Sequence, residues 1–128
     1  MKNNKLKIII QKSVQEVFAF TVNPNNTPKW IDGVVVEKTN EWPPSIGTIY
    51  ENCDDKNNFS IYRVTKFEMN KEFELTKQDE STYVVNYFYR AVPDNSTELV
   101  YHEWVSEGVI ENPFTQEMLE QLKKVMEK

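Results

Sequence analysis

The sequence has a single cysteine and a single histidine among its 128 residues. One cysteine excludes a disulfide within the chain, and Cys53 is interpreted as a small side chain in a strand rather than a reactive thiol. One histidine and one cysteine cannot supply the cluster of nitrogen and sulfur ligands that zinc requires. We therefore expect no metal site and no cofactor.

Long apolar runs are also lacking. The run from Ile8 to Ile10 is too short for the core of a signal peptide, and no later segment approaches the roughly 20 apolar residues of a membrane span. The length suits one domain, since single domains usually have about 100–200 residues. We expect a cytoplasmic protein whose residues 1–128 form a single domain.

Positive charge is in the minority, with 15 basic against 20 acidic residues and a formal net charge of −5. The lysines and arginines are scattered rather than gathered into a stripe, which disfavours binding to the phosphate backbone of nucleic acids. Apolar residues make up 39% of the chain and aromatic residues 12%. This composition is sufficient for a core, and we expect aromatic side chains to dominate it.

The first part of the chain predicts a strand and two short helices. Residues 5–11 are rich in isoleucine, and Ser13 with Glu16 three residues later forms the capping box that opens a helix. Pro24 ends that helix, and Asn23 can cap a second one. This is a helix-turn-helix in outline only, because no basic recognition face accompanies it.

A series of strand-like segments follows Gly33, separated by turn-forming residues. The segments are residues 34–38, 48–53, 59–67, 72–77, 83–92 and 97–106. Their short links favour antiparallel neighbours, because a parallel crossover needs about a dozen residues or more. With helices at only two places, the pattern predicts an α+β fold in which a curved antiparallel sheet wraps around a C-terminal helix.

The last part of the chain predicts one amphipathic helix. Asn112 and Pro113 are expected to cap and begin it. Its apolar residues, repeating at helical spacing, are Phe114, Met118, Leu119, Leu122, Val125 and Met126. We expect this stripe to pack against the concave face of the sheet, because a helix with one apolar face must bury it.

Three stretches of the sequence resemble one protein family. They are SVQEVFAFTVNPNNTPKWIDGV at residues 13–34, IGTIYE at 46–51 and RVTKF at 63–67. Together with the closing helix they resemble the START and polyketide-cyclase superfamily, also called SRPBCC or Bet v 1-like. This superfamily of helix-grip proteins includes plant pollen allergens and Hsp90-activator-like proteins, and the resemblance spans nearly the whole chain.

The resemblance implies a cavity between the sheet and the C-terminal helix, with the two short helices at its mouth. Family members bind sterols, lipids, plant hormones, quinones or polyketides there, and a minority carry out acid–base chemistry. The C-terminal helix of this chain is short, so its cavity is expected to be small or partly filled.

The resemblance also implies which strand face points inward. In the phase of Leu99 and Tyr101, the side chains of Tyr87, Tyr89 and Glu103 face the cavity. The expected ligand-binding residues are Trp30, Tyr87, Tyr89, Tyr101, Phe114 and Met118. Tyrosine suits a cavity lining because it joins apolar area to a hydroxyl group. The alternative is a tightly packed core, and Tyr62 is expected to lie farther from the pocket.

Glu103 and His102 are the two weak candidates for catalysis. An inward carboxylate among aromatic side chains is a candidate general acid or base. The alternative for Glu103 is an exposed or cross-strand position, paired for example with Arg63 or Arg90. Under the same strand phase His102 lies on the opposite face, so one strand cannot easily present both residues to one pocket.

Three functions stay open at this point. The favoured one is a binding protein for a small hydrophobic ligand such as a lipid or polyketide, because only one clear ionisable candidate faces the cavity. The others are a cyclase- or dehydratase-type enzyme and an Hsp90-activator-like protein-interaction module. The expected partner is a small apolar molecule rather than a nucleic acid, and a homodimer is left open.

Overall fold

The computed structural model describes residues 1–128 and contains seven strands and three short helices. The strands are β1 (Asn3–Ile10), β2 (Val36–Thr39), β3 (Ile49–Cys53), β4 (Phe59–Glu68), β5 (Glu72–Lys77), β6 (Val84–Val92) and β7 (Ser96–Trp104). The helices are α1 (Val14–Val22), a 3₁₀ helix (Pro24–Lys29) and α2 (Gln116–Met126). None of the helices has the length and apolar character needed to cross a membrane.

All seven strands join one antiparallel sheet in the order β1-β7-β6-β5-β4-β3-β2. Strands β2 to β7 follow one another as a meander, and β1 adds to the far edge beside β7. The curved sheet, the C-terminal helix and the short helices after β1 confirm the predicted α+β helix-grip architecture. Short links produce this order because they allow only antiparallel neighbours.

The helices after β1 begin where the sequence predicts. The backbone N–H of Glu16 donates to Ser13 Oγ at 3.2 Å, and the N–H of Ser13 donates to Glu16 Oε1 at 3.2 Å. These bonds lower the pKa of Glu16. Asn23 Oδ1 accepts the N–H of Asn25 at 3.0 Å and begins the 3₁₀ helix. Both caps are local contacts, which explains why they could be predicted.

Helix α2 begins later than the sequence predicts. Its cap is Thr115, whose Oγ1 accepts the N–H of Met118 at 3.4 Å, and not Asn112. Asn112 has a φ of 52°, a left-handed conformation that turns the chain ahead of the helix. Leu119 and Leu122 are the fully buried members of the apolar stripe. The stripe is therefore narrower than expected, and Phe114 lies outside the helix.

The core lies between the concave face of the sheet and the helices, and aromatic side chains dominate it as expected. Phe18 of α1 packs edge-on against Tyr89, with ring centroids 5.0 Å apart. Tyr87 and Tyr101 of neighbouring strands pack edge-on at 5.3 Å. Tyr89 shares a hydrogen bond of 2.6 Å with Thr21, so its buried hydroxyl has a partner. Tyr87, Tyr89 and Tyr101 thus face inward, in the predicted phase.

Candidate functional site

A cleft of about 720 Å³ opens at one end of the sheet. We call it the Tyr62–Tyr83 cleft, because these two tyrosines stand side by side in its wall. Residues 105–112, which lead from β7 toward α2, form the opposite side. Its buried apolar residues are Val105 and Ile110. The cleft therefore combines aromatic, aliphatic and polar surface.

The antiparallel order of the strands brings the two tyrosines together. The start of β4, the end of β5, the start of β6 and the end of β7 all lie at this end of the sheet. Tyr62 is paired in register with Lys77, whose N–H donates to the carbonyl of Tyr83 at 2.9 Å. The two tyrosine rings then lie edge-on, with centroids 6.4 Å apart.

Glu103 is buried behind this wall, with 1% of its surface exposed. Its Oε2 accepts hydrogen bonds from Asn4 Nδ2 at 2.8 Å and from the N–H of Phe114 at 2.7 Å. Its Oε1 accepts the hydroxyl of Tyr83. The alternative partners from the sequence were wrong: Arg90 pairs with Glu98 at 3.0 Å, and Arg63 is exposed.

These contacts make Glu103 a positioning residue. Both carboxylate oxygens are occupied by donors from three segments that are distant in sequence. A general acid or base must instead reach a proton of the substrate, directly or through one water. In this arrangement the carboxylate fixes the ring of Tyr83 and the chain ahead of α2.

His102 lies on the outer face of the sheet, away from the helices. Its ring packs against Trp104, with centroids 4.6 Å apart, and it is paired in register with Lys5 and Asn86. Burial and then the charge of Lys5 lower its pKa. His102 and Glu103 therefore point to opposite faces, as strand alternation predicts.

The two tyrosine hydroxyls of the cleft are protonated at neutral pH. Burial, followed by the charges of Glu37, Asp79 and Glu103, raises the pKa of Tyr62 to about 12. Burial and the hydrogen bond to Glu103 also raise the pKa of Tyr83. The Tyr83 hydroxyl already donates a hydrogen bond to Glu103. The Tyr62 hydroxyl, in contrast, makes no hydrogen bond within the protein. Tyr62 can therefore donate to a ligand.

The predicted lining residues form a packed cluster between the sheet and α2. Tyr101 stacks on Phe114 with centroids 4.0 Å apart, and Trp30 packs edge-on against Phe114 at 5.8 Å and Tyr87 at 6.3 Å. The structure thus brings these side chains together, and they fill the region where the resemblance implies a cavity. Trp30 is 2% exposed, and its buried Nε1 has no hydrogen-bond partner.

The other two predicted residues lie at the edges of this cluster. Tyr89 is buried beneath α1, beside Phe18. Met118 borders a second cleft of about 280 Å³ between the 3₁₀ helix and α2, to which Trp30 also contributes. This cleft is mostly polar and lies apart from Tyr62 and Tyr83.

Sequence reasoning missed the two tyrosines that form the wall of the main cleft. Tyr62 was expected to lie farther from the cavity that Tyr101 lines, and it lines this separate cleft. The sequence signal that could have found Tyr62 is strand alternation. It puts Tyr62 on the same inward face of β4 as Val64, which is buried. Tyr83 sits one residue before β6, where alternation no longer gives a direction.

A second carboxylate on the concave face, Glu37, was also missed. Its Oε1 accepts Thr27 Oγ1 at 2.6 Å, and its Oε2 accepts Asn52 Nδ2 at 3.3 Å. Burial raises its pKa, and these hydrogen bonds partly oppose that effect. Glu37 joins β2 and β3 to the 3₁₀ helix and has no cationic partner.

The fold is similar to solved structures of low sequence identity. Protein XoxI from Bacillus cereus has a TM-score of 0.77 at 12% identity, over 98% of this chain and 95% of that one. A protein from Mesorhizobium loti has a TM-score of 0.74 at 14% identity, over 98% and 97%. The Aha1 dimer from Colwellia psychrerythraea gives 0.64 at 13% identity, over 99% and 89%. No family model and no curated protein matches the sequence.

Proposed function

We propose that this protein binds a small molecule with an apolar part in the Tyr62–Tyr83 cleft. The observation that carries the proposal is the pair of tyrosine rings in the wall, where one hydroxyl is fixed and the other has no partner. The volume of about 720 Å³ lies within the range of about 300–1,000 Å³ typical of small-molecule sites.

The residues in and behind the cleft have three different roles in this proposal. The rings of Tyr62 and Tyr83 and the side chains of Val105 and Ile110 provide apolar contact. The Tyr62 hydroxyl orients one polar group of the ligand. Glu103 prevents the Tyr83 ring from turning away, which lowers the entropy that binding would otherwise cost. Binding is favoured over catalysis because both carboxylate oxygens of Glu103 are already occupied by donors of the protein itself.

The test is a fluorescence titration with the neutral apolar dye N-phenyl-1-naphthylamine. We expect about one site per chain on the folded wild type and about tenfold weaker binding to Tyr62→Ala, since the substitution removes one ring and one donor. Phe59→Ala is the matched control, because Phe59 is an aromatic residue of the same strand that is 61% exposed on the outer face. Circular dichroism checks that each variant folds.

Two results would contradict the proposal. One is the absence of dye binding to the folded wild type. The other is equal affinity for wild type, Tyr62→Ala and Phe59→Ala, which would place the dye outside the cleft.

The second candidate is a protein-interaction module of the Hsp90-activator kind. It is favoured by the likeness to the Aha1 dimer and by apolar side chains exposed on the outer face of the sheet, namely Phe59, Ile61 and Phe88. Calorimetric titration with purified Hsp90 tests it. Binding that Phe88→Ser weakens and Tyr62→Ala leaves unchanged would support this candidate over the cleft.

A further inference from the structure

We infer that the ligand of the Tyr62–Tyr83 cleft carries an organic cation, such as a quaternary ammonium or protonated amine, beside its apolar part. The inference rests on the proposed function and names the chemical class that this cleft would select. It follows from the charges around the cleft and from the aromatic wall.

The residues that line the cleft carry an excess of negative charge. Lys77 is the only base among them, and its Nζ lies 3.4 Å from Asp79 Oδ2, so the two charges compensate each other. Glu107 and Glu111 are the other charged lining residues, and neither belongs to any of the six ion pairs of the molecule. The cleft thus has two acids on its outer side that are in no ion pair, and Lys2, whose Nζ donates to the carbonyl of Ser106 at 3.5 Å, lies next to their segment.

The inner side of the cleft is also negative. Glu103, directly behind Tyr83, is held by neutral donors and takes part in no ion pair. A buried charge is screened much less by salt than the exposed charges of Glu107 and Glu111. Its field therefore acts on whatever lies against the Tyr83 ring, while the exposed acids attract a cation from solution.

The aromatic wall favours the same kind of group. The face of a tyrosine ring attracts a cation within about 6 Å of its centroid, and the attraction strengthens when the cation is desolvated. Tyr62 and Tyr83 are arranged edge-on, so their faces point in different directions and can border a rounded group from two sides. Both hydroxyls are protonated at neutral pH, so neither ring adds a charge of its own.

An anionic ligand such as a fatty acid would meet the opposite conditions. No arginine lines the cleft, and its single lysine already pairs with Asp79. A carboxylate placed beside Tyr83 would face Glu103 across one ring and would find no free cation among the lining residues. A neutral ligand would use the rings and leave the charges without a partner.

Three benzyl alcohols that differ in their para substituent test the inference, and the first two have nearly equal shape. They are (4-hydroxymethylphenyl)trimethylammonium, its neutral isostere 4-tert-butylbenzyl alcohol, and the anion 4-(hydroxymethyl)benzoate. Each is titrated at low salt while the amide NMR signals of residues 77–83 and 105–112 are followed. We expect the cation to bind at least about tenfold more tightly than the neutral isostere, and the anion to bind least.

Charge variants then assign the preference to the cleft. The double substitution Glu107→Gln and Glu111→Gln should lower the preference for the cation several-fold and should make cation binding less dependent on salt. Both residues are exposed, so the substitutions should leave the fold intact. Glu103→Gln should lower it as well, with folding checked by circular dichroism. Glu117→Gln, an exposed acid of α2 outside this cleft, should leave it unchanged.

The outcomes separate this inference from the proposed function. Equal binding of the cation and the neutral isostere at these residues would overturn the inference and leave the cleft as a binding site. Tighter binding of the anion would overturn it too. If none of the three probes and no naphthylamine dye binds the folded wild type, both the inference and the proposed function are wrong.

Discussion

Glu103 connects three segments of the chain through neutral donors at Asn4, Tyr83 and Phe114. A buried donor that loses its acceptor costs about 1–3 kcal/mol, which exceeds the net gain from forming a typical hydrogen bond. At the scale of single residues, the carboxylate is therefore of greatest value for holding its partners in place. The same three hydrogen bonds stabilise the fold and hold the Tyr83 ring in the wall of the cleft.

The first prediction concerns the loss of this acceptor. Glu103→Gln replaces one of the two charged acceptor oxygens by an amide group and weakens the remaining hydrogen bonds, so we expect the free energy of unfolding to fall by about 1–3 kcal/mol. Tyr83→Phe removes one of the three bonds and should cost less. Urea denaturation measures both, with the exposed Glu107→Gln as control, for which a change within about 0.5 kcal/mol is expected. Equal effects of Glu103→Gln and Glu107→Gln would show that the bonds do not stabilise the fold.

The second prediction concerns Glu37 and pH. Burial raises its folded pKa above the ordinary value of 4.5, so the folded protein binds this proton more tightly than the unfolded chain does. The stabilisation from protonated Glu37 is fully present below pH 4.5 and is lost as the pH rises through the folded pKa. Glu37→Gln stays neutral, so its stability relative to wild type should increase from pH 4 to pH 7.

Unfolding free energies of wild type and Glu37→Gln across this pH range check the prediction. Glu120→Gln, at an exposed position of α2, is the matched control and should show no such trend. A difference between wild type and Glu37→Gln that stays constant with pH would contradict the assigned pKa direction.

At the scale of elements, α2 contributes through two side chains rather than through its whole apolar stripe. Leu119 and Leu122 are completely buried, whereas Met118, Val125 and Met126 are half-buried. Lys123 Nζ donates to the carbonyl of Ile9 at 2.9 Å and holds the helix along β1. Helix α2 therefore covers the edge of the sheet near β1. It leaves open the end of the sheet at which the Tyr62–Tyr83 cleft lies.

The third prediction follows from this packing. Leu119→Ala should lower the free energy of unfolding by about 2–5 kcal/mol, because it leaves a cavity in the core. Val125→Ala, at a half-buried position of the same helix, is the control and should cost clearly less. Urea denaturation compares the two, and an equal cost for both would mean that the apolar stripe shares the burial evenly.

At the scale of the whole molecule, the residues from Asn112 onward close the core. They supply Phe114, which stacks on Tyr101, and the two buried leucines of α2. Burying a large apolar side chain contributes about 1.5–3 kcal/mol, and the total stability of a folded domain is about 5–15 kcal/mol. Loss of this segment would therefore remove a large part of the stability.

The fourth prediction is that a chain deleted from Asn112 onward loses cooperative unfolding. Thermal melting followed by circular dichroism measures this, with wild type as the reference. Deletion of Lys128 alone is the control, since Glu127 caps α2 and its Oε2 accepts the N–H of Gln11 at 2.7 Å. A sharp transition in the longer deletion would show that the sheet and the first two helices are stable without α2.

Much of the fold could be predicted from the sequence because the signals are local. Alternation put Tyr87, Tyr89 and Tyr101 on one face, the family resemblance gave the inward direction of that face, and Ser13 with Glu16 set the start of α1. The predicted strands agree with the structure to within about two residues, since turn-forming residues separate them. The start of α2 could not be predicted, because the choice between Asn112 and Thr115 depends on where the preceding segment docks.

The amino-acid sequence by itself determined the order of the elements, the antiparallel links and which aromatic residues share a face of the sheet. These depend on periodicity, capping and turn chemistry, which act over a few residues. Only the tertiary structure decided that Asn4, Tyr83 and Phe114 converge on Glu103, and that Tyr62 lines an open cleft while Tyr101 is packed. Such contacts join residues far apart in the chain, so they depend on the register of the strands and on how completely the helices cover the sheet.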